Sequence, residues 1–147
     1  MMDLTRVVEL KLGQCHYSDF IRLLHSCMPR LHTLSIAETL FARLEMLDFR
    51  HVRSLTISDC LTNVDRMCLM FPEVSRLCLR LKTFKRMQRV IDLLDQTIIN
   101  VTFRQVNEPM QKEFVAWLHE RYGDKRQFSY QTDYHMNFHL WLMDFVA

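Results

Sequence analysis

Five cysteines (Cys15, Cys27, Cys60, Cys68 and Cys78) and seven histidines are the side chains of this 147-residue chain best suited to metal binding or nucleophilic chemistry. A structural zinc site needs about four such ligands converging at fixed geometry. The cysteines show no CxxC spacing, and Cys15-His16 and His51 fall in turn segments without paired spacing, so no metal site is expected. Cys27, Cys60 and Cys68 occupy apolar-stripe or under-turn positions, where a thiol acts as a small core filler. Cys78 differs, because strand alternation turns it outward beside arginine side chains, surroundings that can lower a thiol's pKa. A Cys/His hydrolase would also need a base in reach, and no histidine lies on the neighbouring outward positions. Catalysis is therefore not expected. With two glycines and neither a P-loop nor a G-x-G-x-x-G motif, phosphate-cradling loops and a bound cofactor are not expected either. Asn100-Val101-Thr102 is formally a glycosylation sequon, but it falls on a strand in a chain without a signal peptide.

The elements that would position these groups belong to an ordinary globular chain. Apolar residues make up 49% and charged residues 24%, while glycine and proline are scarce, so most residues should lie in regular structure with short connections. A net charge of +2 is too small to argue for nucleic acid or an anionic membrane. No apolar run approaches the ~18–20 residues of a membrane-spanning helix. The start, MMDLTRVVELKL, lacks the basic region and cleavage site of a signal peptide. The odd cysteine count then reads as reduced thiols, and an intracellular address is expected, cytoplasmic with the nucleus open.

An apolar rhythm recurs along the chain. It reads Val7-x-x-Leu10-x-Leu12, Leu31-x-x-Leu34-x-Ile36, Val52-x-x-Leu55-x-Ile57, Val74-x-x-Leu77-x-Leu79 and, more weakly, Ile98-x-x-Val101-x-Phe103, with starts 24, 21, 22 and 24 residues apart. Met28-Pro29-Arg30, Phe49-Arg50-His51 and Phe71-Pro72-Glu73 precede three of the copies. Between copies the period becomes helical. Phe20, Leu23, Leu24 and Cys27 form one stripe; Leu40, Phe41, Leu44 and Leu47 a second; Val64, Met67, Cys68 and Phe71 a third; Met87, Val90, Ile91 and Leu94 a fourth. Ser18, Thr62 and Thr83 are candidate N-caps. A last helix should run from an N-cap at Asn107 through Pro109 to Gly123, with Met110, Phe114, Trp117 and Leu118 as its stripe.

A strand followed by a helix every 21–24 residues resembles the leucine-rich-repeat family, over about residues 4–106. Cys15 and Cys60 hold the Asn/Cys position of that pattern, and Thr39, Lys82 and Val106 stand there in the other copies. The resemblance implies an α/β solenoid: right-handed β-α units, a parallel concave sheet, helices on the convex side, and about five repeats plus a C-terminal cap. Residues 1–147 would be one domain, with repeats over about 4–123 and a capping segment over 124–147. The short degenerate repeats look most like the repeat portion of F-box/leucine-rich-repeat proteins. In that family the repeats hold a substrate while an F-box recruits a ubiquitin ligase. The reading that follows is a non-enzymatic protein-interaction module. Its alternatives are a structural or sensor scaffold domain of a larger leucine-rich-repeat protein and, ranked far lower, an enzyme using Cys78.

Strand alternation selects the contact surface. Glu9, Lys11, Thr33, Ser35, Ser54, Thr56, Arg76, Cys78, Asn100 and Thr102 should point outward, with Ser58, Arg80 and Arg104 just beyond the strands. The basic end at Arg76, Arg80 and Arg104 suits an acidic segment of a protein partner, because guanidinium groups take carboxylates bidentately. The strand at residues 6–12 would present a bare edge, which calls for a further N-terminal segment or a partner to cover it. In the capping segment Phe128 and Tyr130 should lie on a final strand, and Phe138, Leu140 and Leu142 on a returning one. Trp141 could pack on the last helix or show on the surface.

Overall fold

The computed structural model describes residues 4–11, 28–38 and 48–146. Its strands are β1 (Glu9–Lys11), β2 (Thr33–Ile36), β3 (Ser54–Cys60), β4 (Arg76–Arg80), β5 (Asn100–Phe103), β6 (Arg126–Thr132) and β7 (Phe138–Phe145). The helices among the described residues are α1 (Val64–Met70), α2 (Phe84–Leu94) and α3 (Glu108–Tyr122), and a 3-10 turn (Leu4–Arg6) precedes β1. The expected residues Leu12, Cys15, His16, Ser18, Phe20, Leu23, Leu24, Cys27, Thr39, Leu40, Phe41, Leu44 and Leu47 lie outside the described residues.

The apolar rhythm has the same backbone meaning in the three middle copies. Leu31, Val52 and Val74 are fully buried, and each donates its N–H to the carbonyl three residues back, Met28 at 3.1 Å, Phe49 at 3.2 Å and Phe71 at 3.4 Å. That turn delivers the chain into the strand, where Leu34/Ile36, Leu55/Ile57, Leu77/Leu79 and Val101/Phe103 point to the core and are at most 2% exposed. Unit stacks on unit through one repeated device. The carbonyl of Val8 accepts the N–H groups of His32 and Thr33, His32 those of Arg53 and Ser54, Arg53 those of Ser75 and Arg76, and Ser75 those of Ile99 and Asn100, all at 2.8–3.1 Å. The Phe49 and Phe71 rings of the approach segments stack at 5.1 Å. Each fully buried side chain of this size contributes about 2 kcal/mol of hydrophobic stabilisation.

Helix ends follow the sequence with one exception. Thr83 Oγ1 accepts from Arg86 N–H at 3.3 Å, and Asn107 Oδ1 from Met110 N–H at 2.9 Å. Gly123 takes a positive φ of 50° at the end of α3. Helix α1 is capped by Asn63, whose Oδ1 accepts from Arg66 N–H at 3.0 Å, one residue after the expected Thr62. The Thr62 hydroxyl instead donates to the Glu38 carboxylate at 2.7 Å. Val64, Met67, Cys68, Phe71, Met87, Val90, Ile91, Leu94, Phe114 and Leu118 are all buried, with Met110 and Trp117 packed at the margin of the same core.

The seven strands form one mixed sheet in the order β1-β2-β3-β4-β5-β7-β6. Strands β1 to β5 run parallel, but β7 pairs antiparallel with β5, and β6 antiparallel with β7. The expected wholly parallel sheet is thereby corrected: the returning strand, not the one that follows α3, docks on the stack. Its composition explains the choice. On β7, Phe138, Leu140 and Leu142 make an unbroken apolar row that suits a strand flanked on both sides, whereas β6 offers only the half-covered Phe128 and Tyr130.

Candidate functional site

Because the strand side chains buried at 0–3% all face the helices, the opposite face of the sheet is left open among the described residues. Pairing register lines its side chains into two rows. One runs Glu9, Thr33, Ser54, Arg76, Asn100, Trp141, Ser129, and the other Lys11, Ser35, Thr56, Cys78, Thr102, His139, Gln131. Neighbours within a row stand about 4.8 Å apart. All ten strand residues expected on the contact surface are therefore gathered on one face. Ser54, Thr56, Arg76, Cys78, Asn100 and Thr102 surround a shallow recess of about 170 Å³.

The antiparallel strand β7 adds what the repeat pattern could not supply, Trp141 and His139. Their rings stack at 6.1 Å, and Trp141 is 38% exposed beside Asn100. The signal was present in the alternation of Phe138, Leu140 and Leu142, which puts residues 139 and 141 on the other face. What it lacked was the pairing of β7 with β5.

Three arginines were expected to make a basic end, and the structure divides them. Strand β3 takes four steps from Thr56 to Cys60 where β4 takes two from Cys78 to Arg80, so β3 bulges. Ser58 thus lies within the strand, and Cys60 pairs with Arg80 at its end rather than lying beneath a turn. A bulge strands carbonyls that the neighbouring strand cannot reach. Arg104, just past β5, spans β4 and donates Nη2 to the carbonyls of Ile57 at 2.5 Å and Ser58 at 2.7 Å. Its guanidinium is committed within the fold. Arg76 and Arg80 are exposed and pair with no carboxylate among the described residues.

Burial pushes the Cys78 thiol up, and the nearby Arg104 charge opposes that only in part. The arginine neighbour acts in the direction the sequence suggested, but burial outweighs it. Burial likewise pushes Cys68 up to about 12, with Asp65 adding to the rise. Among the described residues no group of three or more His, Cys, Asp or Glu side chains could hold a metal ion. No described helix is long and apolar enough to cross a membrane.

A hydrogen-bonded chain crosses the C-terminal end of the face. Asp133 Oδ2 lies 3.0 Å from His139 Nε2, and His139 Nδ1 lies 3.0 Å from Thr102 Oγ1. Asp133 also accepts from the N–H groups of His135 and Asn137 and from Asn137 Nδ2 at 2.8–3.1 Å. The His139 hydrogen bond first, and the Asn137 and His135 bonds after it, hold the Asp133 carboxyl well below the usual carboxylate range. With Asp133 ionised, its carboxylate can only accept, so His139 Nε2 is the donor of that bond, and Nδ1 is within hydrogen-bond distance of the Thr102 hydroxyl. The connectivity is that of a nucleophile relay. Thr102, however, sits inside a strand paired on both sides, so its backbone N–H serves the ladder and is not available as an oxyanion donor. The network anchors the β6–β7 turn to β5 and fixes His139 under Trp141.

Comparison with protein-family models, with curated proteins and with solved structures found no match to this chain.

Proposed function

We propose that this protein is a non-enzymatic interaction module whose open sheet face binds an acidic, extended segment of a protein partner. The observation that carries the reading is the contrast among the arginines. Arg104 is consumed by the β3 bulge, while Arg76 and Arg80 stand exposed with no carboxylate partner among the described residues. They occupy the same face of β4, about 13 Å apart by strand rise, so they suit two carboxylates roughly four residues apart in an extended chain. The hydroxyl-lined recess around Arg76 offers hydrogen bonds to the segment's backbone, and Trp141, paired with Asn100 at its edge, offers an aromatic surface.

The units themselves are read as degenerate leucine-rich repeats of a solenoid, supported by the shared turn and the repeated stacking bonds. On that reading the chain resembles the substrate-holding repeats of F-box adaptors of ubiquitin ligases, and a scaffold or sensor domain of a larger repeat protein is the alternative. The free thiols Cys60, Cys68 and Cys78 suit an intracellular address.

The test is affinity capture with mass spectrometry, wild type against the double variant Arg76→Glu/Arg80→Glu. Both side chains are exposed, so the variant should unfold at the wild-type urea midpoint while losing proteins that carry an acidic segment. Capture of the same proteins by the variant would refute the reading.

A further inference from the structure

We infer that β6 is a pairing edge through which two copies of this chain join antiparallel, β6 against β6, about a two-fold axis at Ser129. Strand β6 ends the sheet, is seven residues long and contains no proline. Edge strands are normally protected by charge, proline or brevity. The one charged residue of β6, Arg126, is turned inward and 5% exposed, so Gln127–Thr132 presents an uncharged strand to solvent.

The backbone groups at this edge are in phase for pairing. Leu142 N–H donates to Ile99 O at 2.8 Å, so the backbone groups of Leu142, and by alternation of Leu140 and Phe138, turn toward β5. Their opposite numbers on β6, Phe128, Tyr130 and Thr132, therefore turn their N–H and C=O groups away from β7 to the free edge.

Self-pairing about Ser129 uses that set. It places Phe128 of one copy opposite Tyr130 of the other, and each such pair exchanges both of its N–H···O=C bonds. The same register sets Gln127 against Gln131 and brings Lys125 opposite Asp133 at both ends, a charge-complementary arrangement.

The side chains point the same way. Tyr130 stacks on the buried Phe138 at 5.5 Å yet is 49% exposed, and beside it a groove of about 440 Å³ opens against Val115, Ala116 and His119 of α3. The core layer thus ends at β6 in uncovered aromatic surface. A second β6 continues that layer across the joint with its own Phe128 and Tyr130, where like aromatic pairs favour association. An identical strand supplies the register, the aromatic contacts and the end charges together, which an arbitrary extended peptide does not.

Sedimentation velocity on the full chain between about 1 and 100 µM should show a monomer–dimer equilibrium. The variants Tyr130→Lys and, independently, Ser129→Lys should sediment as monomers with unchanged circular dichroism. Ser129 is exposed and meets itself at the axis, so Ser129→Lys sets like charges face to face without touching the core. Under mild oxidation Ser129→Cys should cross-link to itself, mapped by mass spectrometry. A wild type that stays monomeric throughout, including one that binds an extended peptide at β6 instead, would overturn the inference. So would a dimer that survives both lysine variants, or cross-links that place another edge at the joint.

Discussion

In the parallel half of the sheet, three successive units repeat one turn, and four repeat one pair of inward side chains and one shared-carbonyl link to a neighbouring unit. The β6–β7 hairpin repeats nothing and is held by a few concentrated contacts. The Phe114 ring meets Phe84 of α2, Phe103 of β5 and Phe138 of β7, joining three elements to α3 at centroid distances of 5.4–6.3 Å. Arg126 is a second such point. Its guanidinium donates to the carbonyls of Met143 at 2.5 Å, Asp95 at 2.9 Å and Ile98 at 3.1 Å, lies over the Phe145 ring, and pairs with the Asp95 carboxylate. Asp95 also accepts from the Tyr122 hydroxyl at 2.5 Å, and Arg121 lies beside it. Burial first, then the Asp95 hydrogen bond, pushes Tyr122 up to about 12. Distributed stabilisation in one region and focused stabilisation in the other should respond differently to single substitutions.

The largest difference is expected at Phe114. Phe114→Ala removes the ring shared by the Phe84, Phe103 and Phe138 contacts and should cost about 3–5 kcal/mol in urea unfolding, because a buried cavity adds to the lost transfer energy. A loss below 1 kcal/mol would mean that the hairpin is docked by other contacts.

A smaller effect is expected at Arg126. Arg126→Met strands three backbone carbonyls and leaves the Asp95 carboxylate with Arg121 and Tyr122 alone, for a loss of about 2–3 kcal/mol. Arg76→Met on the open face should stay within about 0.5 kcal/mol of wild type. Equal effects at the two arginines would erase the distinction between structural and exposed guanidinium groups.

The smallest effect is local. Asp133 has a folded pKa depressed below its ordinary value of 3.8, so its contribution to the β6–β7 turn is fully present above that value and is lost as pH falls through the lower, folded one. Hydrogen exchange at the His135 and Asn137 amides, which Asp133 accepts, should stay slow from neutral pH down to about 4 and quicken only in stronger acid. In Asp133→Asn both amides should exchange faster at neutral pH, with the parallel strands unaffected. Loosening of β2–β4 over the same pH range would show that the turn is not an independent region.

Most of the parallel half was legible residue by residue. The pairs Leu34/Ile36, Leu55/Ile57 and Leu77/Leu79, the caps Thr83 and Asn107, and Gly123 all act where local pattern placed them, because periodicity and capping depend on residues only a few positions apart. The outward rows followed from the same alternation. The bulge in β3 escaped it, since Ser58, Asp59 and Cys60 carry no local signal that separates a bulge from a strand end.

Sequence by itself determined which side chains of each strand enter the core and which face away, since that is settled by a two-residue period within one strand. Tertiary structure alone decided that β7 rather than β6 docks on β5, that Trp141 and His139 extend the open face, and that Arg104 and Arg126 are spent inside the fold. The physical reason is that these choices rest on backbone carbonyls and strand edges tens of residues away. Those groups are alike in every amino acid, so the sequence cannot mark which of them a guanidinium will find.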